Sequence, residues 1–187
     1  MFKNFFIFTW ELVKIIIVSL AIIIPIRYFL IQPFYVKGAS MEPSFYDHEY
    51  LIIDEISYRL HEPKRGEVIV FRYPRNPQEY FIKRVVGLPG EKVQIKNGEV
   101  YVYNKENSAG FALGEPYLGE GTKTYGLNEE VVSLDSNEFF VLGDNRNSSK
   151  DSRSFGPVNR SFITGRVLFR GWPFNRAGLF EAPAYQF

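Results

Sequence analysis

An apolar segment near the amino terminus restricts the fold of this chain more than any other feature of the sequence. It covers residues 12–31, and about 20 residues in a helix span the ~30 Å of a bilayer's hydrocarbon. Lys14 and Arg27 interrupt it, so it can cross a membrane only if both long cations extend toward the interfaces. Trp10 and Tyr28 suit those interfaces. The segment therefore predicts a single membrane anchor.

A cleaved secretory signal is the alternative interpretation of this segment. Lys3, the apolar run and the small residues at 38–40 resemble one. However, charged residues interrupt the run, and its apolar character continues beyond an ordinary signal core. We therefore favour a retained anchor in residues 1–33, followed by a separate domain over 34–187. Basic residues flank the run on both sides, so charge does not predict its orientation.

The residues after the anchor follow a β pattern, with short alternating apolar segments between turn residues. The strongest hairpin signal is Asn97-Gly98, since a type I′ turn needs positive φ at both central residues. Residues 104–128 predict a variable surface excursion. We predict a mainly β fold with a coiled, barrel-like or sandwich sheet. The predicted strands cover residues 48–54, 65–71, 80–86, 92–96, 99–103, 138–142 and 165–170.

Composition excludes several classes of chemistry. The 187-residue chain has no cysteine, which excludes thiol catalysis, disulfides and cysteine-ligated zinc. Its two histidines, His48 and His61, do not form a zinc-peptidase pattern. A net charge of +1 gives no electrostatic footprint for nucleic acid. We therefore predict no cofactor, no metal and no nucleic-acid partner.

A serine and a lysine are the candidate catalytic residues. Ser40 follows two small residues, so a substrate backbone can approach it closely. Strand alternation puts Lys83 on one face with Phe81 and Val85, and burial of that face would lower the lysine pKa. A base acting near pH 7 needs a shift of about 3 units, or roughly 4 kcal/mol. Such an amine could activate the serine hydroxyl. A turn serine and a solvated lysine are the alternatives.

A third segment, residues 142–158, is a long polar stretch that follows an apolar strand. Long ordered loops in compact domains are often functional, and a solvated loop with Asx turns is the alternative. We predict that Asp151 and Arg153 form an ion pair that braces this loop.

Taken together and in this order, the segments resemble the type I signal peptidase (leader peptidase) family, in its short, single-anchor, Gram-positive-like form. This family consists of Ser/Lys proteases that remove signal peptides from exported proteins. The matching segments are GASMEPSF at 38–45, HEYLIIDE at 48–55, RGEVIVF at 65–71, FIKRVVGLPGE at 81–91 and GDNRNSSKDSRSFGPV at 143–158.

The resemblance implies roles for individual residues. Ser40 would be the nucleophile, Lys83 the general base, and Ser149 the serine that hydrogen-bonds and orients the lysine. The Ser40 backbone N–H would be one oxyanion donor. Gly38 occupies the position from which some members supply a second donor as a serine hydroxyl, so the second donor here is left open. Asp144, Asp151 and Arg153 would be structural residues near the site.

The resemblance also implies substrates and location. The substrates would be exported preproteins, cleaved after small residues in an Ala-x-Ala pattern. The chain would be a single-pass protein of the plasma membrane with its catalytic domain outside, in contact with the bilayer. Two alternatives remain open at this point. One is another Ser/Lys peptidase, such as a pilus-processing enzyme, and the other is a membrane-tethered β module that binds peptides without cleaving them.

Overall fold

A long apolar helix, α1 (Phe2–Pro25), begins the computed structural model, which describes residues 2–25, 31–183 and 185. Within α1, the 20 residues Phe5–Ile24 are long and apolar enough to cross a membrane, with a mean hydropathy of 2.3. None of this span is buried against the rest of the described chain. An exposed apolar helix of this length fits a transmembrane anchor.

The helix begins ten residues earlier than the predicted segment 12–31. Glu11 and Lys14 consequently lie inside the span, where their side chains form an ion pair 2.8 Å long. Pairing reduces the cost of placing either charge in an apolar span, which explains why the run does not stop at them. Arg27 and Tyr28, which were predicted to lie at its far end, fall outside the described residues.

Antiparallel strands are the main regular structure after the helix, which confirms the predicted mainly β fold. Two short helices, α2 (Ser57–Leu60) and α3 (Ser152–Phe155), lie between them. The strands are β1 (Ile31–Tyr35), β2 (Tyr50–Asp54), β3 (Val68–Tyr73), β4 (Asn76–Gly87), β5 (Lys92–Lys96), β6 (Glu99–Tyr103), β7 (Phe111–Ala112), β8 (Val131–Ser133), β9 (Glu138–Leu142), β10 (Val158–Asn159), β11 (Ile163–Trp172) and β12 (Gly178–Leu179).

The strands form two sheets. The larger sheet has the order β1-β2-β11-β3-β4-β9-β10, with β12 also paired to β11, and the smaller has the order β7-β6-β5-β8. Strand β11 shifts register against both of its neighbours, and such bulges bend and coil a sheet. Gly165 lies at one shift, where a Cβ would come within 2.6 Å of the Asp54 carbonyl oxygen. Only glycine allows the two backbones to approach this closely.

The β5–β6 hairpin turns at the predicted dipeptide. Asn97 has φ of 55° and Gly98 has φ of 83°, as a type I′ turn requires. Its inward-facing side chains pack against residues of β4 and β9, so one apolar cluster joins the two sheets. The buried members of this cluster are Val86, Val93, Ile95, Val100, Leu113, Leu134, Phe140 and Leu142.

Candidate active site

Ser40 lies in a tight turn that follows β1, and the turn packs against the hydrophobic core. Met41 and Phe45 are fully buried in an apolar cluster beneath it. The two ends of the loop are joined by Val36 N–H donating to the Glu49 carbonyl at 2.8 Å. These contacts fix the turn, so the position of the Ser40 hydroxyl is set by the packing around it.

Lys83 reaches Ser40 from the centre of the larger sheet. It lies on β4, where its Cα is paired with Ile69 of β3. Its side chain is buried, with 3% of the residue exposed. The Nζ atom lies 2.8 Å from Ser40 Oγ and 2.7 Å from the Ile82 carbonyl oxygen. The two predicted residues are therefore within hydrogen-bonding distance of each other.

Burial changes the protonation of this amine. Desolvation lowers the pKa of Lys83 from 10.5 to about 8, although the charges of Asp151 and Asp144 act in the opposite direction. A substantial fraction of the amine is therefore neutral near physiological pH. A neutral amine can accept the Ser40 hydroxyl proton through its lone pair while it donates to the Ile82 carbonyl.

Asp144 forms a buried ion pair with Arg84, which is the residue after Lys83 on the opposite face of β4. Arg84 Nε donates to Asp144 Oδ1 at 2.8 Å and Nη2 to Oδ2 at 2.5 Å. The guanidinium also donates to the Gly66 carbonyl and, at 3.2 Å, to Ser44 Oγ. Strand β4 thus directs Lys83 toward the serine turn and Arg84 toward the loop after β9.

Asp151 and Arg153 form the predicted ion pair. Arg153 Nε and Nη2 each donate to the Asp151 carboxylate at 2.8 Å, and Asp151 Oδ2 accepts the Gly143 N–H at 3.0 Å. Burial acts to raise the pKa of Asp151, but the Arg153 guanidinium and the Gly143 N–H outweigh it and hold this pKa below its ordinary value. A charged carboxylate therefore braces the loop close to Lys83.

Ser149 lies near Ser40 but does not hydrogen-bond to Lys83, which differs from the role that the resemblance implied. A Cβ on Gly143 would lie 2.1 Å from Ser149 Oγ and 2.5 Å from the Ser40 carbonyl oxygen, so a glycine is required between the two serines. Ser149 Oγ is buried, with no partner at hydrogen-bonding geometry among the described residues. It lies near enough to Asp151 to help lower the pKa of that carboxyl.

Gly38 does not offer its backbone N–H to a substrate in this structure. That N–H donates to Asp47 Oδ1 at 2.8 Å, and the Gly38 φ of 91° turns the chain toward Ser40. The Ser40 N–H, in contrast, makes no hydrogen bond to any described residue. Of the two predicted oxyanion positions, the amide at Ser40 is therefore the one with a free donor.

A cleft of about 600 Å³ opens over the serine and the lysine. One wall is formed by residues 34–37, which end β1 and lead into the serine turn, and the other by residues 79–83 of β4. Pairing between β4 and β9 begins only at Arg84. Residues 79–83 of β4 therefore lie beside β3 on one edge and are not paired with β9 on the other. Leu51, Val70 and Ile82 give the cleft an apolar lining.

Two parts of this site were not predicted from the sequence. Asn145 holds the serine turn, donating from its backbone N–H to the Ser40 carbonyl and from its side-chain Nδ2 to the Ala39 carbonyl, both at 3.1 Å. The buried ion pair of Arg84 with Asp144 was not predicted either. An arginine inside a run of apolar strand residues was the available signal, since such a residue is rarely buried without a carboxylate partner.

The predicted excursion over 104–128 also contacts the site loop. Arg146 binds the Glu115 carboxylate, with Nη1 at 2.7 Å from Oε2, and donates to the Thr124 hydroxyl. Arg153 Nη1 donates to the Tyr125 carbonyl at 3.0 Å. Parts of this segment are exposed, but these contacts tie it to the loop that carries Asp144 and Asp151.

Comparison with known proteins identifies the family to which this chain belongs. The family described as "Signal peptidase, peptidase S26" matches residues 9–172. This match covers well over half of the sequence, including most of α1 and all strands from β1 to β11. The chain belongs to the signal peptidase family, and is therefore a protease by membership.

Individual relatives match over most of their length. A signal peptidase I of Leptolyngbya laminosa is 40% identical over 183 residues, which cover 94% of this chain and 86% of the relative. A probable signal peptidase I-2 of Synechocystis sp. is 38% identical over 177 residues, covering 91% and 77%. Signal peptidase IB of Staphylococcus aureus is 34% identical over 175 residues, covering 86% and 87%.

Among solved structures, a crystal structure of a signal peptidase I from Enterococcus faecalis matches with a TM-score of 0.47 and 30% sequence identity. The match covers 57% of this chain and 97% of that one.

Proposed function

We propose that this chain is a membrane-bound serine endopeptidase that removes signal peptides from exported preproteins with a Ser40–Lys83 dyad. The observation that carries the proposal is the 2.8 Å between Lys83 Nζ and Ser40 Oγ, made by an amine with a lowered pKa. Membership of the signal peptidase family supports the substrate class. The apolar helix Phe2–Pro25 supports a single-pass membrane anchor. Membership of the signal peptidase family supports the plasma membrane as its location and the extracytoplasmic side for the domain that follows it.

The chemistry is acyl transfer through a covalent intermediate. Neutral Lys83 takes the Ser40 hydroxyl proton while Oγ bonds to the scissile carbonyl carbon. The Ser40 N–H donates to the oxygen that becomes negative, and such donors stabilise the tetrahedral intermediate. The lysine ammonium returns the proton to the leaving amine as the C–N bond breaks. The Lys83 amine, neutral again, then deprotonates a water that attacks the acyl carbon. Its ammonium returns this proton to Ser40 Oγ as the acyl C–O bond breaks and the second product leaves.

The cleft suits an extended substrate. A strand entering between residues 34–37 and 79–83 can pair with the edge of β4 that, before Arg84, has no partner strand among the described residues, as strand addition requires. Its alternate side chains would then point at Leu51, Val70 and Ile82. This apolar lining suits the apolar side chains of an Ala-x-Ala site.

Substitution of either dyad residue tests the proposal. We expect Ser40→Ala and Lys83→Ala to abolish cleavage of a preprotein with an Ala-x-Ala site in detergent or vesicles, while the proteins still fold. Lys92→Ala, on an exposed face of the smaller sheet, is the matched control and should cleave normally. Full turnover by the Lys83→Ala protein would contradict the assignment of the base. A double change of His48 and His61 should leave cleavage intact, since no histidine takes part.

A further inference from the structure

Asn145 holds the serine turn at two points on consecutive residues. Its side-chain Nδ2 donates to the Ala39 carbonyl oxygen at 3.1 Å, and its own N–H donates to the Ser40 carbonyl oxygen at 3.1 Å. These bonds join residues about a hundred positions apart in the chain. The Ala39 carbonyl also accepts the Glu42 N–H at 3.2 Å, which closes the turn.

The bond to Ala39 has a geometric consequence for Ser40. The Ala39 C=O and the Ser40 N–H belong to the same peptide unit, and this unit is trans. Because a trans peptide is planar, its C=O and N–H point in opposite directions. Holding the Ala39 oxygen against Asn145 and Glu42 therefore turns the Ser40 N–H away from both of them, which matches its lack of a partner among the described residues.

We propose that Asn145 is a positioning residue that orients the 39–40 peptide so that the Ser40 N–H donates to the oxyanion. This inference rests on the proposed function. The Gly38 N–H, the other candidate donor in the turn, already donates to Asp47. The Ser40 N–H is therefore the donor that must be oriented toward the oxyanion.

Asn145 is itself held rigidly enough for this role. The neighbouring Arg146 is buried, donates from Nε to the Gly143 carbonyl at 3.1 Å and is paired with Glu115. Arg153 Nη2 donates to the Arg146 carbonyl at 2.8 Å. A side chain that starts from a backbone fixed on both sides loses little further entropy when it binds the Ala39 oxygen.

Asn145→Asp is the informative substitution because aspartate has nearly the shape of asparagine but its carboxylate donates no hydrogen bond. The carboxylate cannot donate to the Ala39 carbonyl, and it places a negative oxygen beside it. The backbone bond from residue 145 to the Ser40 carbonyl and the turn bond from Glu42 both remain. Asn147→Asp is the matched control, since Asn147 is exposed in the same loop and this substitution adds the same charge.

Two matched ligands distinguish a change in the orientation of the Ser40 N–H from a general loss of binding in the cleft. A peptide aldehyde ending in Ala-x-alaninal forms a hemiacetal adduct with Ser40. Oγ bonds to the aldehyde carbon as Lys83 takes the hydroxyl proton, and the C=O π pair moves onto the aldehyde oxygen, which enters the oxyanion position. The corresponding peptide alcohol fills the same cleft without forming a bond. Full-length protein in detergent is assayed for both inhibition constants and for kcat and KM.

For Asn145→Asp we expect aldehyde affinity and kcat to fall together, by about tenfold or more and at most the 10²–10³-fold that loss of an oxyanion donor costs. Alcohol affinity and KM should stay within about twofold, and Asn147→Asp should behave as wild type. Unchanged aldehyde affinity, or an equal loss of alcohol affinity, would overturn the inference. If Asn145→Asp fails to fold, Asn145→Ala gives the same comparison. If the aldehyde does not react with Ser40 of the wild-type protein, the proposed function would be overturned instead.

Discussion

Replacing Lys83 with methionine should make the protein inactive and, near neutral pH, relieve a cost to its stability. Lys83 carries a pKa of about 8 in the folded protein against 10.5 as the ordinary value, because burial disfavours its charge. A difference of one pKa unit corresponds to about 1.4 kcal/mol, so holding this lysine in place costs about 3 kcal/mol at pH 7. Methionine fills a similar volume and carries no charge to desolvate.

The sign of the effect follows from proton binding. Between pH 8 and pH 10.5 the unfolded lysine is protonated while the folded one is largely neutral. Because the unfolded state binds more protons in this window, wild-type stability rises with pH relative to the variant. The benefit of Lys83→Met is therefore full below pH 8 and lost above pH 10.5. Loss of the bonds to Ser40 and Ile82 subtracts about 1–3 kcal/mol at every pH, which leaves the pH-dependent part unchanged.

Denaturant unfolding of the full chain in detergent, followed between pH 7 and pH 11, measures this difference. The free energy of unfolding of Lys83→Met minus that of wild type should fall by about 3 kcal/mol across the range. Lys92→Met, at an exposed lysine, should show no such change. A difference that stays constant with pH would refute the reasoning, since it would mean that Lys83 keeps an ordinary pKa in the folded state.

Two further outcomes follow from the charges around the dyad. The pH profile of kcat/KM should rise with an apparent pKa of about 8, and Asp151→Asn should move it to lower pH because this carboxylate raises the pKa of Lys83. Asp135→Asn, at an exposed site, is the control, and an upward shift for Asp151→Asn would contradict the sign. Separately, Asp144→Ala leaves Arg84 buried without its partner, so unfolding measurements should show a loss of about 3–5 kcal/mol. A loss below about 1 kcal/mol would show that water reaches the guanidinium.

Local patterns in the sequence account for much of the fold. The dipeptide Asn97-Gly98 predicted a type I′ hairpin because few other residues tolerate positive φ at both central positions. Predicted strands such as 92–96 and 99–103 were found because apolar alternation reports a buried face, and both strands have alternating burial. The short strands β7, β10 and β12 were not predicted, since two residues carry too little periodicity to detect.

The amino-terminal boundary shows where such patterns fail. The predicted apolar segment began after Glu11 and contained Lys14, and both charges count against a membrane segment. In the structure these two side chains neutralise each other within the helix. A hydrophobicity pattern counts residues singly, so it does not detect that two charges form a pair.

The sequence by itself determined that an apolar helix precedes a β domain and that a serine and a lysine lie in separate motifs of a known family. The tertiary structure alone decided that these two side chains meet at 2.8 Å and that burial takes the lysine pKa to about 8. It also decided that Asn145 hydrogen-bonds to the serine turn, which lies about a hundred residues away in the sequence. Strand periodicity and turn chemistry act between neighbours in the chain, whereas a distance, a desolvation cost or a hydrogen-bond partner depends on which distant segments pack together.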